Sequence, residues 1–458
     1  MTGTESLPAG PLLCWYGDDF TGSSAVMEAM SAAGLPAVLF FDVPTPPQQA
    51  RFVDYRGIGM AGVARAQTPA WMRDNLPRFY RAMAESGAPV SLYKICSTLD
   101  SSPEVGSIGA ALEAASPYLD GEWIPFLTAA PAIGRYQLFG NLFARAHDTV
   151  YRLDRHPTMS RHPVTPMHEA DVRVHLGKQT SIPIGLVDYV SLRSGHGAQT
   201  LAAQLAAGKR IIALDALDED SLADAGALIW ERRGKRIFAV GSQGVAYALA
   251  AYFRRAGMLS ATPTAVSAAG PRQIAAVSGS CSPMTGAQIE WAGQHGFTLI
   301  RVDVCKTVDA PSWKAELDRV GGLAAASLER GKNPLLFTAN GADDAAIAAF
   351  RAAVTAAGLD LIAANETVSK GLGRVLNTLV REGGVRRVAI AGGDTSSYAT
   401  QALDIFAITL LAATIPGAAL FKAYSNDPAL DGLEIALKGG QMGAIDYFGQ
   451  ISSGGISA

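Results

Sequence analysis

The chain has 458 residues, of which 49% are hydrophobic and 17% charged, and its formal net charge at pH 7 is −3. A single hydrophobic core stops growing well below this length, so we expect two domains, or three. The composition excludes a disordered or fibrous chain, and the lack of a basic excess argues against a nucleic-acid partner.

The chain also lacks the marks of a secreted or membrane protein. Its four cysteines show no Cys-x-x-Cys pairing, which favours free thiols in a reducing cytosol over disulfides or a cysteine zinc site. No basic region precedes an apolar stretch at the N-terminus, so no signal peptide is predicted. The apolar run 405–421 is interrupted by Pro416 and Gly417 and is short for a membrane span. We therefore expect a cytoplasmic protein with no membrane partner.

The first half of the chain alternates short apolar runs with helical stretches. The run 12–16 precedes a Gly-Asp-Asp turn, residues 21–34 have helical spacing, and 37–41 is again strand-like. This order is the repeating unit of a parallel sheet. It recurs with apolar runs at 90–96, 123–127, 182–187, 210–214 and 236–240. The pattern predicts an α/β domain over residues 1–258.

The composition changes at 259–272, which is small, polar and without periodicity, as in an interdomain linker. After it, apolar runs alternate with helical stretches again, at 273–277, 298–302, 335–338 and 385–390. We therefore predict a second α/β domain over residues 273–458. The expected architecture is two α/β domains with open, largely parallel sheets and an interdomain cleft.

Two adjacent carboxylates, Asp18 and Asp19, follow the first predicted strand. Ligands of open α/β sheets bind outside the carboxyl ends of the strands, where turns expose backbone N–H groups. One carboxylate could orient a hydroxyl while the other accepts its proton or holds a metal. Alternatively, one aspartate caps the following helix and the other is solvated. Taken alone, the pair favours this second interpretation.

A lysine at the end of an apolar strand, Lys94, is followed by the hydroxyl groups of Ser97 and Thr98 and by Asp100. Such a cluster can bind a carboxylate and hydroxyls together. The alternative is a Ser/Thr-rich turn beside a lysine whose stem covers the strand end.

The stretch 134–167 combines arginines and histidines with prolines that stiffen a loop. Arg135 and two further arginines present guanidinium groups suited to an acidic substrate. His156, His162 and His168 suggest a metal site, but their six-residue spacing does not place them on one helical face. No acidic residue completes an HExxH arrangement, so substrate binding is favoured over zinc.

Three glycine-containing turns, at 278–282, 392–396 and 438–443, follow strands or open helices in the second predicted domain. They leave backbone N–H groups accessible, as a phosphate chain requires. Each is a weak signal, because tight turns need glycine for their own geometry. The chain contains no GxxxxGK[ST] loop, no GxGxxG opening a helix and no GxSxG elbow, which argues against a Walker-type ATPase, a dinucleotide dehydrogenase and an α/β-hydrolase.

Together these motifs resemble the four-carbon acid sugar kinase family. The order GDDFTG, YKICSTLDSS, HPVTPM, SGSCS, GGDTS and DPALDGLEIALKGGQMG follows that family over nearly the whole chain. The resemblance implies a sugar-acid-binding N-terminal domain and an ATP-binding C-terminal domain. It implies transfer of the γ-phosphoryl group, with Mg²⁺, to a terminal hydroxyl of 3-oxo-tetronate, threonate or erythronate. The expected partners are the sugar acid and ATP, and a homo-oligomer stays open.

The resemblance also implies roles for individual residues. Asp19 would be the base or orient the acceptor hydroxyl, with Asp18 in support. The family's substrate-side Lys, Ser/Thr turn and Arg fall on Lys94, Ser97, Thr98 and Arg135. We expect Arg65 and His162 to bind the substrate as well. The nucleotide would be bound by Ser280, Gly392, Gly393, Asp394, Thr395, Gly440 and Gly443. No metal ligand is assigned to the protein.

The chain departs from the family pattern at several positions. Gly17 stands where alanine is usual, Asp394 where glutamate is frequent, and Gln441-Met442 where Asn-Phe is common. The segment 152–168 is longer than in the plainest members, which could favour a branched or oxidised acid such as 3-oxo-isoapionate. A nucleotide-independent sugar-acid lyase or isomerase, and a non-catalytic sugar-acid sensor, remain as alternatives.

Overall fold

The computed structural model describes residues 6–119, 121–162, 164–259, 268, 270, 272–412, 414 and 418–455, without the side chains of Asp394 and Ser397. The chain divides into two compact units, Met1–Ala265 and Val266–Ala458. Most of the predicted linker 259–272 lies outside the described residues.

The first unit alternates strands and helices along the chain. Its strands are β1 (Leu13–Gly17), β2 (Ala37–Phe40), β3 (Gly57–Ala61), β4 (Val90–Lys94), β5 (Ile124–Leu127), β6 (Arg135–Leu138), β7 (Asn141–Ala146), β8 (Thr149–Arg152), β9 (Ile184–Val187), β10 (Ile211–Leu214) and β11 (Ile237–Gly241). Its helices are α1 (Phe20–Ala32), α2 (Pro46–Ala50), α3 (Pro69–Glu85), α4 (Ile108–Ala115), α5 (Val172–Gly177), α6 (Tyr189–Arg193), α7 (Gly197–Ala206), α8 (Glu219–Glu231) and α9 (Gly244–Arg255).

Eight of these strands are joined side by side and all their pairings are parallel, in the order β2-β3-β1-β4-β11-β5-β10-β9. Strand β1 is buried along its whole length, as expected for a parallel strand covered by helices on both faces. The chain leaves β1 towards β2 and leaves β4 towards β5, on opposite sides. The carboxyl ends of β1 and β4 therefore flank a topological switch point, where α/β proteins bind ligands.

The stretch that we expected to be a loop from residue 134 begins as a small antiparallel sheet, β6-β7-β8. Leu138 pairs with Asn141 across the two-residue turn Phe139-Gly140. Both turn residues have positive φ, 50° and 78°, which is the geometry that matches the twist of a hairpin. Phenylalanine is an unusual residue for that geometry, so the hairpin had no clear signal in the sequence.

The second unit also alternates strands and helices, but one edge of its sheet is antiparallel. Its strands are β12 (Ala275–Ser278), β13 (Phe297–Arg301), β14 (Asn333–Phe337), β15 (Arg387–Ala391), β16 (Ile405–Ala412), β17 (Leu420–Ser425) and β18 (Glu434–Lys438). Its helices are α10 (Pro283–Gln294), α11 (Ala310–Glu329), α12 (Ala345–Ala356), α13 (Leu361–Gly383), α14 (Gly393–Gln401) and α15 (Tyr447–Ser453).

The strands of the second unit run in the order β13-β14-β12-β15-β18-β17-β16. The pairings from β13 to β18 are parallel, whereas β17 is antiparallel to both β18 and β16. The switch point lies between β12 and β15, whose connections leave in opposite directions. The prediction of two α/β domains with largely parallel sheets is confirmed.

The apolar run 405–421 forms β16 and the start of β17. No single helix of the described residues is long and apolar enough to cross a membrane, although α12 and α13 pass that test as a pair bent by 120°.

Candidate active site

Asp18 and Asp19 leave the carboxyl end of β1 and lie beside the end of β4. The N–H of Asp18 donates to the carbonyl of Lys94 at 3.0 Å, which joins the two strand ends. Nζ of Lys94 is 3.6 Å from Oδ1 of Asp19. The first switch point thus brings the two adjacent carboxylates together with a lysine that follows them by 75 residues or more in the chain.

Asp19 also caps helix α1, since its Oδ1 accepts the N–H of Gly22 at 2.9 Å. The alternative expectation of one capping and one solvated aspartate is therefore correct for the cap. It is wrong for Asp18, whose side chain is only 5% exposed. Capping and a position in the site coexist in Asp19, because the cap uses one of its two oxygens.

Arg65 holds the two carboxylates together. Its Nη2 lies 2.7 Å from Oδ1 of Asp18 and 2.7 Å from Oδ1 of Asp19, and its Nε lies 3.2 Å from Oδ2 of Asp18. The N–H of Arg65 donates to the carbonyl of Asp18 at 2.9 Å. Both oxygens of Asp18 are thereby engaged, whereas Oδ2 of Asp19 has no hydrogen-bond partner among the described residues.

The two aspartates have opposite pKa shifts. Burial raises the pKa of Asp18 and outweighs the attraction of Arg65 and Lys94. Burial also opposes ionisation of Asp19, but Arg65, Lys94 and the N–H of Gly22 outweigh it and lower the pKa of Asp19. When the environments of two neighbouring carboxyl groups shift their pKa values in opposite directions, the two groups can take different chemical roles. Asp19 is the one that stays ionised.

Gly22 leaves the space that Lys94 occupies. A Cβ at position 22 would lie 1.7 Å from Nζ of Lys94 and 2.3 Å from Oδ1 of Asp19. The glycine is therefore required by the close approach of the lysine. Its helical backbone conformation in the first turn of α1 is one that any residue can adopt.

The turn after β4 carries hydroxyl groups that bond within the turn. Oγ1 of Thr98 donates to Oδ1 of Asp100 at 2.7 Å and lies 3.0 Å from Sγ of Cys96. Thr98 is buried, whereas Ser97 is half-buried and its side chain has no hydrogen-bond partner in the described part of the chain. Leu99 has a φ of 56°, a strained value for a leucine that the surrounding contacts must maintain.

A cluster of polar side chains, Ser101, His175 and Gln179, is hydrogen-bonded to the backbone of this turn. Oγ of Ser101 donates to the carbonyl of Leu99 at 2.9 Å and lies 3.0 Å from Nε2 of His175. Nε2 of Gln179 donates to Oγ of Ser101 at 2.9 Å. Burial, together with the charge of Lys178, lowers the pKa of His175 to about 4, so the imidazole is neutral at pH 7. No motif in the sequence indicated this cluster.

Arg135 lies near the same turn without a carboxylate partner among the described side chains. Its Nη1 donates to the carbonyls of Ile133 and Gly134, each at 3.2 Å. Its Nε is buried with no partner in the described residues. Burial lowers its pKa, against smaller opposing contributions from Cys96 and Asp100. Arg135 thus keeps hydrogen-bonding capacity and charge for a ligand.

Of the three histidines of the 152–168 segment, it is His156 that lies near Arg135. The side chain of His156 is 7% exposed, and burial and the charge of Arg135 lower its pKa. His162 instead accepts the N–H and lies close to the hydroxyl of Thr165 through its Nδ1, each at 3.1 Å. No contact among the described residues links His162 to Arg135 or to the aspartates. Pro163 lies outside the described residues.

In the second unit, the three predicted nucleotide turns converge at the switch point. The N–H of Gly279 donates to the carbonyl of Ala391, and the N–H of Gly392 donates to the carbonyl of Lys438. A Cβ at Gly279 would lie 2.2 Å from Oγ1 of Thr395, and a Cβ at Gly440 would lie 2.6 Å from Oγ of Ser280. The glycines are therefore needed for close packing of one turn on the next.

A cavity of about 200 Å³ adjoins these turns, with Gly279 and Thr395 in its wall. It lies beyond the ends of β12 and β14 and combines apolar with polar side chains. Its apolar wall is formed by Ile347, Phe350, Leu361 and Val368, and polar groups are supplied by Arg351, Asn365 and Ser369. Such a cavity suits a flat ring with polar edges. Gly393 opens α14, while the side chain of Asp394 lies outside the description.

Comparisons with known proteins match both units. A family model described as a sugar-binding N-terminal domain matches residues 13–249, and one described as a nucleotide-binding C-terminal domain matches residues 275–448. A 3-oxo-isoapionate kinase of Paraburkholderia graminis is 47% identical over 456 residues, covering 100% of this chain and 97% of that protein. A 3-oxo-tetronate kinase of Methylobacterium radiotolerans is 31% identical, covering 94% of this chain and 96% of that protein.

Solved structures share the fold. A crystal structure from Salmonella typhimurium LT2 has a TM-score of 0.78 at 24% identity, covering 95% of this chain and 97% of that chain. The Haemophilus influenzae protein HI1011 has a TM-score of 0.73 at 24% identity, covering 96% of this chain and 98% of that chain. At this level of identity the likeness concerns the fold alone.

The two matched domains and the named relatives define a sugar-acid kinase built from a sugar-binding and a nucleotide-binding domain. The chain belongs to the four-carbon acid sugar kinase family. The family and the kinase activity predicted from the order of six motifs are confirmed, and the lyase and sensor alternatives lose their support.

Proposed function

We propose that this kinase uses ATP and Mg²⁺ to phosphorylate a terminal hydroxyl of the branched acid 3-oxo-isoapionate. The identity of 47% to a kinase of that name, over the whole chain, supports the branched acid. A 3-oxo-tetronate is the second candidate, because kinases of that name are 31% and 30% identical. The acceptor side of the proposal rests on one observation, the unengaged Oδ2 of Asp19 at the end of β1.

In this proposal Oδ2 of Asp19 accepts the hydrogen bond of the attacking hydroxyl and, later, its proton. A carboxylate with a lowered pKa is a weak base. Phosphoryl transfer passes through a loose transition state, however, so the protein mainly has to orient the hydroxyl and balance charge. Arg65 and Lys94 fix the carboxylate through its other oxygen, and Asp18 fixes Arg65.

The substrate carboxylate is assigned to Arg135. A guanidinium binds a carboxylate with two parallel hydrogen bonds, and Arg135 has only neutral carbonyl acceptors in the described structure. The half-buried hydroxyl of Ser97 and the neighbouring Asp100 are available for substrate hydroxyls. Thr98 then acts by shaping the turn, because its hydroxyl is already bonded to Asp100.

The nucleotide is assigned to the glycine turns of the second unit, with its base in the adjoining cavity. The described residues contain no group of three or more His, Cys, Asp or Glu side chains that could hold a metal ion. Asp18 and Asp19 already have cationic partners. Mg²⁺ prefers phosphate oxygens, waters and only one or two carboxylates, so it would be carried by the nucleotide. When bound, it neutralises phosphate charge.

A panel assay of ADP release tests the proposal. The purified chain is supplied with ATP, Mg²⁺ and, in turn, 3-oxo-isoapionate, 3-oxo-tetronate, threonate and erythronate. We expect the highest kcat/KM for the branched acid. A higher value for 3-oxo-tetronate would favour the second candidate, and no ADP release with any acid would refute the assignment.

A further inference from the structure

Lys438 is a buried lysine with no carboxylate partner in the described part of the chain. It ends β18, its side chain is 1% exposed, and its Nζ lies 3.0 Å from Oγ1 of Thr285. The carbonyl oxygens of Gly439 and Gly440 lie 3.3 and 3.5 Å from the same nitrogen. Burying an ammonium group without a counter-charge is costly. Its position at a strand end next to the switch point suggests that an anion supplies that charge.

The carbonyls that follow Lys438 are held firmly. The carbonyl of Gly440 accepts hydrogen bonds from the hydroxyls of Ser282 and Thr285 as well as from Lys438. The carbonyl of Gly439 accepts the N–H of Met442 at 3.1 Å in addition to Lys438. Two successive carbonyl oxygens therefore point towards the ammonium group.

Because a trans peptide unit sets its N–H opposite its C=O, the N–H groups of Gly440 and Gln441 point away from Lys438. Neither N–H has an acceptor among the described residues. Successive free N–H groups in a turn form an anion-binding concavity. The N-terminus of α10, capped by Ser282, adds its positive potential from beneath the same turn.

We propose that Lys438 is the positioning residue and the fixed positive charge of a phosphate-binding turn formed by residues 439–443. Its ammonium group holds the carbonyls of the turn inward, so that the N–H groups face the terminal phosphates of a nucleotide. This inference rests on the proposed function, since it assigns one residue to the phosphates of the proposed ATP site.

Few other titratable groups face Lys438. Burial alone lowers its pKa to about 8. The ring of Tyr447, on α15, has its centroid 5.7 Å from Nζ, and the phenol donates to a backbone carbonyl. Glu434 lies at the other end of β18 and is paired with Arg387 on β15. The first turn of α10 is uncharged, and the thiol of Cys281 lies on the neighbouring turn.

The test measures ADP binding by titration calorimetry from about pH 7 to about pH 9.5, a range spanning the lysine titration. The variants are Lys438→Met, Lys438→Gln and, as the control, Lys422→Met, which removes an exposed lysine of β17. A bound phosphate favours the charged lysine, so the wild-type affinity falls as pH rises through about 8, by roughly 10-fold. We expect Lys438→Met to bind about 10-fold or more weakly at pH 7 and to lose most of this pH dependence.

Unliganded Lys438→Met should unfold at the same temperature or higher, because the variant no longer buries a charge. Unchanged ADP affinity and pH dependence in both Lys438 variants would overturn the inference and leave the kinase proposal intact. A lower Tm with unchanged affinity would assign Lys438 to folding and overturn it too. If the wild-type chain bound no ADP at any pH, the proposed function itself would fail.

Discussion

Nη2 of Arg65 lies 2.7 Å from Oδ1 of Asp19. The same nitrogen bonds Asp18 at 2.7 Å, so one guanidinium orients both carboxylates of the first turn. Both carboxylate oxygens of Asp18 are occupied by hydrogen bonds from Arg65. Asp19 keeps Oδ2 for a ligand. The division of labour between two adjacent aspartates thus follows from the position of a single arginine.

Asp19→Asn should lower kcat by about 10²–10⁴-fold, the range typical of a lost general base. Asparagine is as good a helix cap as aspartate, so the fold and ADP affinity should be unchanged. Steady-state kinetics and calorimetric ADP binding measure the two properties. The matched control is Asp42→Asn, which neutralises an exposed carboxylate paired with Arg78. Loss of ADP binding in Asp19→Asn would assign Asp19 to the nucleotide instead.

Arg65→Met should impair both stability and activity. Removing one member of a mostly buried ion group leaves Asp18 unpaired and Asp19 with Lys94 alone, at a cost of about 3 kcal/mol. The pKa of Asp18 should rise further, because the cation that opposes its burial is gone. Urea unfolding measures the stability and an ADP-release assay measures the activity. An unfolding free energy equal to that of the wild type would contradict the account of the carboxylate pair.

Gly22→Ala should reduce activity strongly while leaving the chain folded. The added Cβ would lie 1.7 Å from Nζ of Lys94, so the lysine must move away from Asp19. Gly322→Ala, inside α11 with nothing within 4 Å of the added Cβ, is the matched control. It should be fully active and more stable by up to about 1 kcal/mol. Full activity in Gly22→Ala would show that the Lys94–Asp19 contact is dispensable.

Arg135→Ala should raise the KM for the acid by about 10- to 100-fold, the equivalent of one charged hydrogen-bonded contact. The KM for ATP should stay within experimental error. Arg145→Ala removes an exposed arginine of the adjacent strand β7 and should change neither constant. An unchanged acid KM in Arg135→Ala would remove this residue from the substrate site.

Glu316 provides a pH-dependent test of the second unit. Burial alone would raise its pKa, but Arg319, the N–H of Asp303 and Lys306 outweigh burial and lower the pKa to about 2. The contribution of ionised Glu316 to the free energy of unfolding is therefore complete above its ordinary pKa of about 4.5, and it is lost as pH falls towards 2. Glu316→Gln should cost about 1–2 kcal/mol at pH 7, less than the full linkage value because Arg319 and Lys306 are partly exposed.

Urea unfolding of Glu316→Gln at several pH values checks this expectation, with the exposed Asp318→Asn as control. The difference in the free energy of unfolding between Glu316→Gln and the wild type should shrink as pH falls below about 4. A difference that stays constant down to the lowest accessible pH would contradict the assigned pKa.

The sequence predicted the parallel strands well, because strands buried on both faces appear as continuous apolar runs. It missed the hairpin β6-β7, whose turn uses Phe139 at positive φ, and the antiparallel pairing of β17 with β16 and β18. It also could not pair Arg65 with Asp18, since that contact depends on how the turn after β3 meets the turn after β1.

One site residue, Lys438, could have been found by the rule that singled out Lys94. Lys438 is likewise a lysine that ends an apolar run and precedes a glycine turn, yet only the glycines were assigned a role. His156 had no comparable signal. Its spacing from His162 and His168 is regular, and only the tertiary structure distinguishes the histidine near Arg135 from the other two.

Nuclear magnetic resonance of the product shows whether a terminal hydroxyl of the branched acid is phosphorylated. Wild-type chain, ATP, Mg²⁺ and freshly prepared 3-oxo-isoapionate are mixed, and the phosphorus signal of the new ester is recorded with proton coupling. We expect ADP together with a phosphorus triplet, because a terminal CH₂–O–P group carries two coupled protons. A phosphorus signal that is not coupled to two protons, or ATP left intact beside the acid, would contradict this expectation.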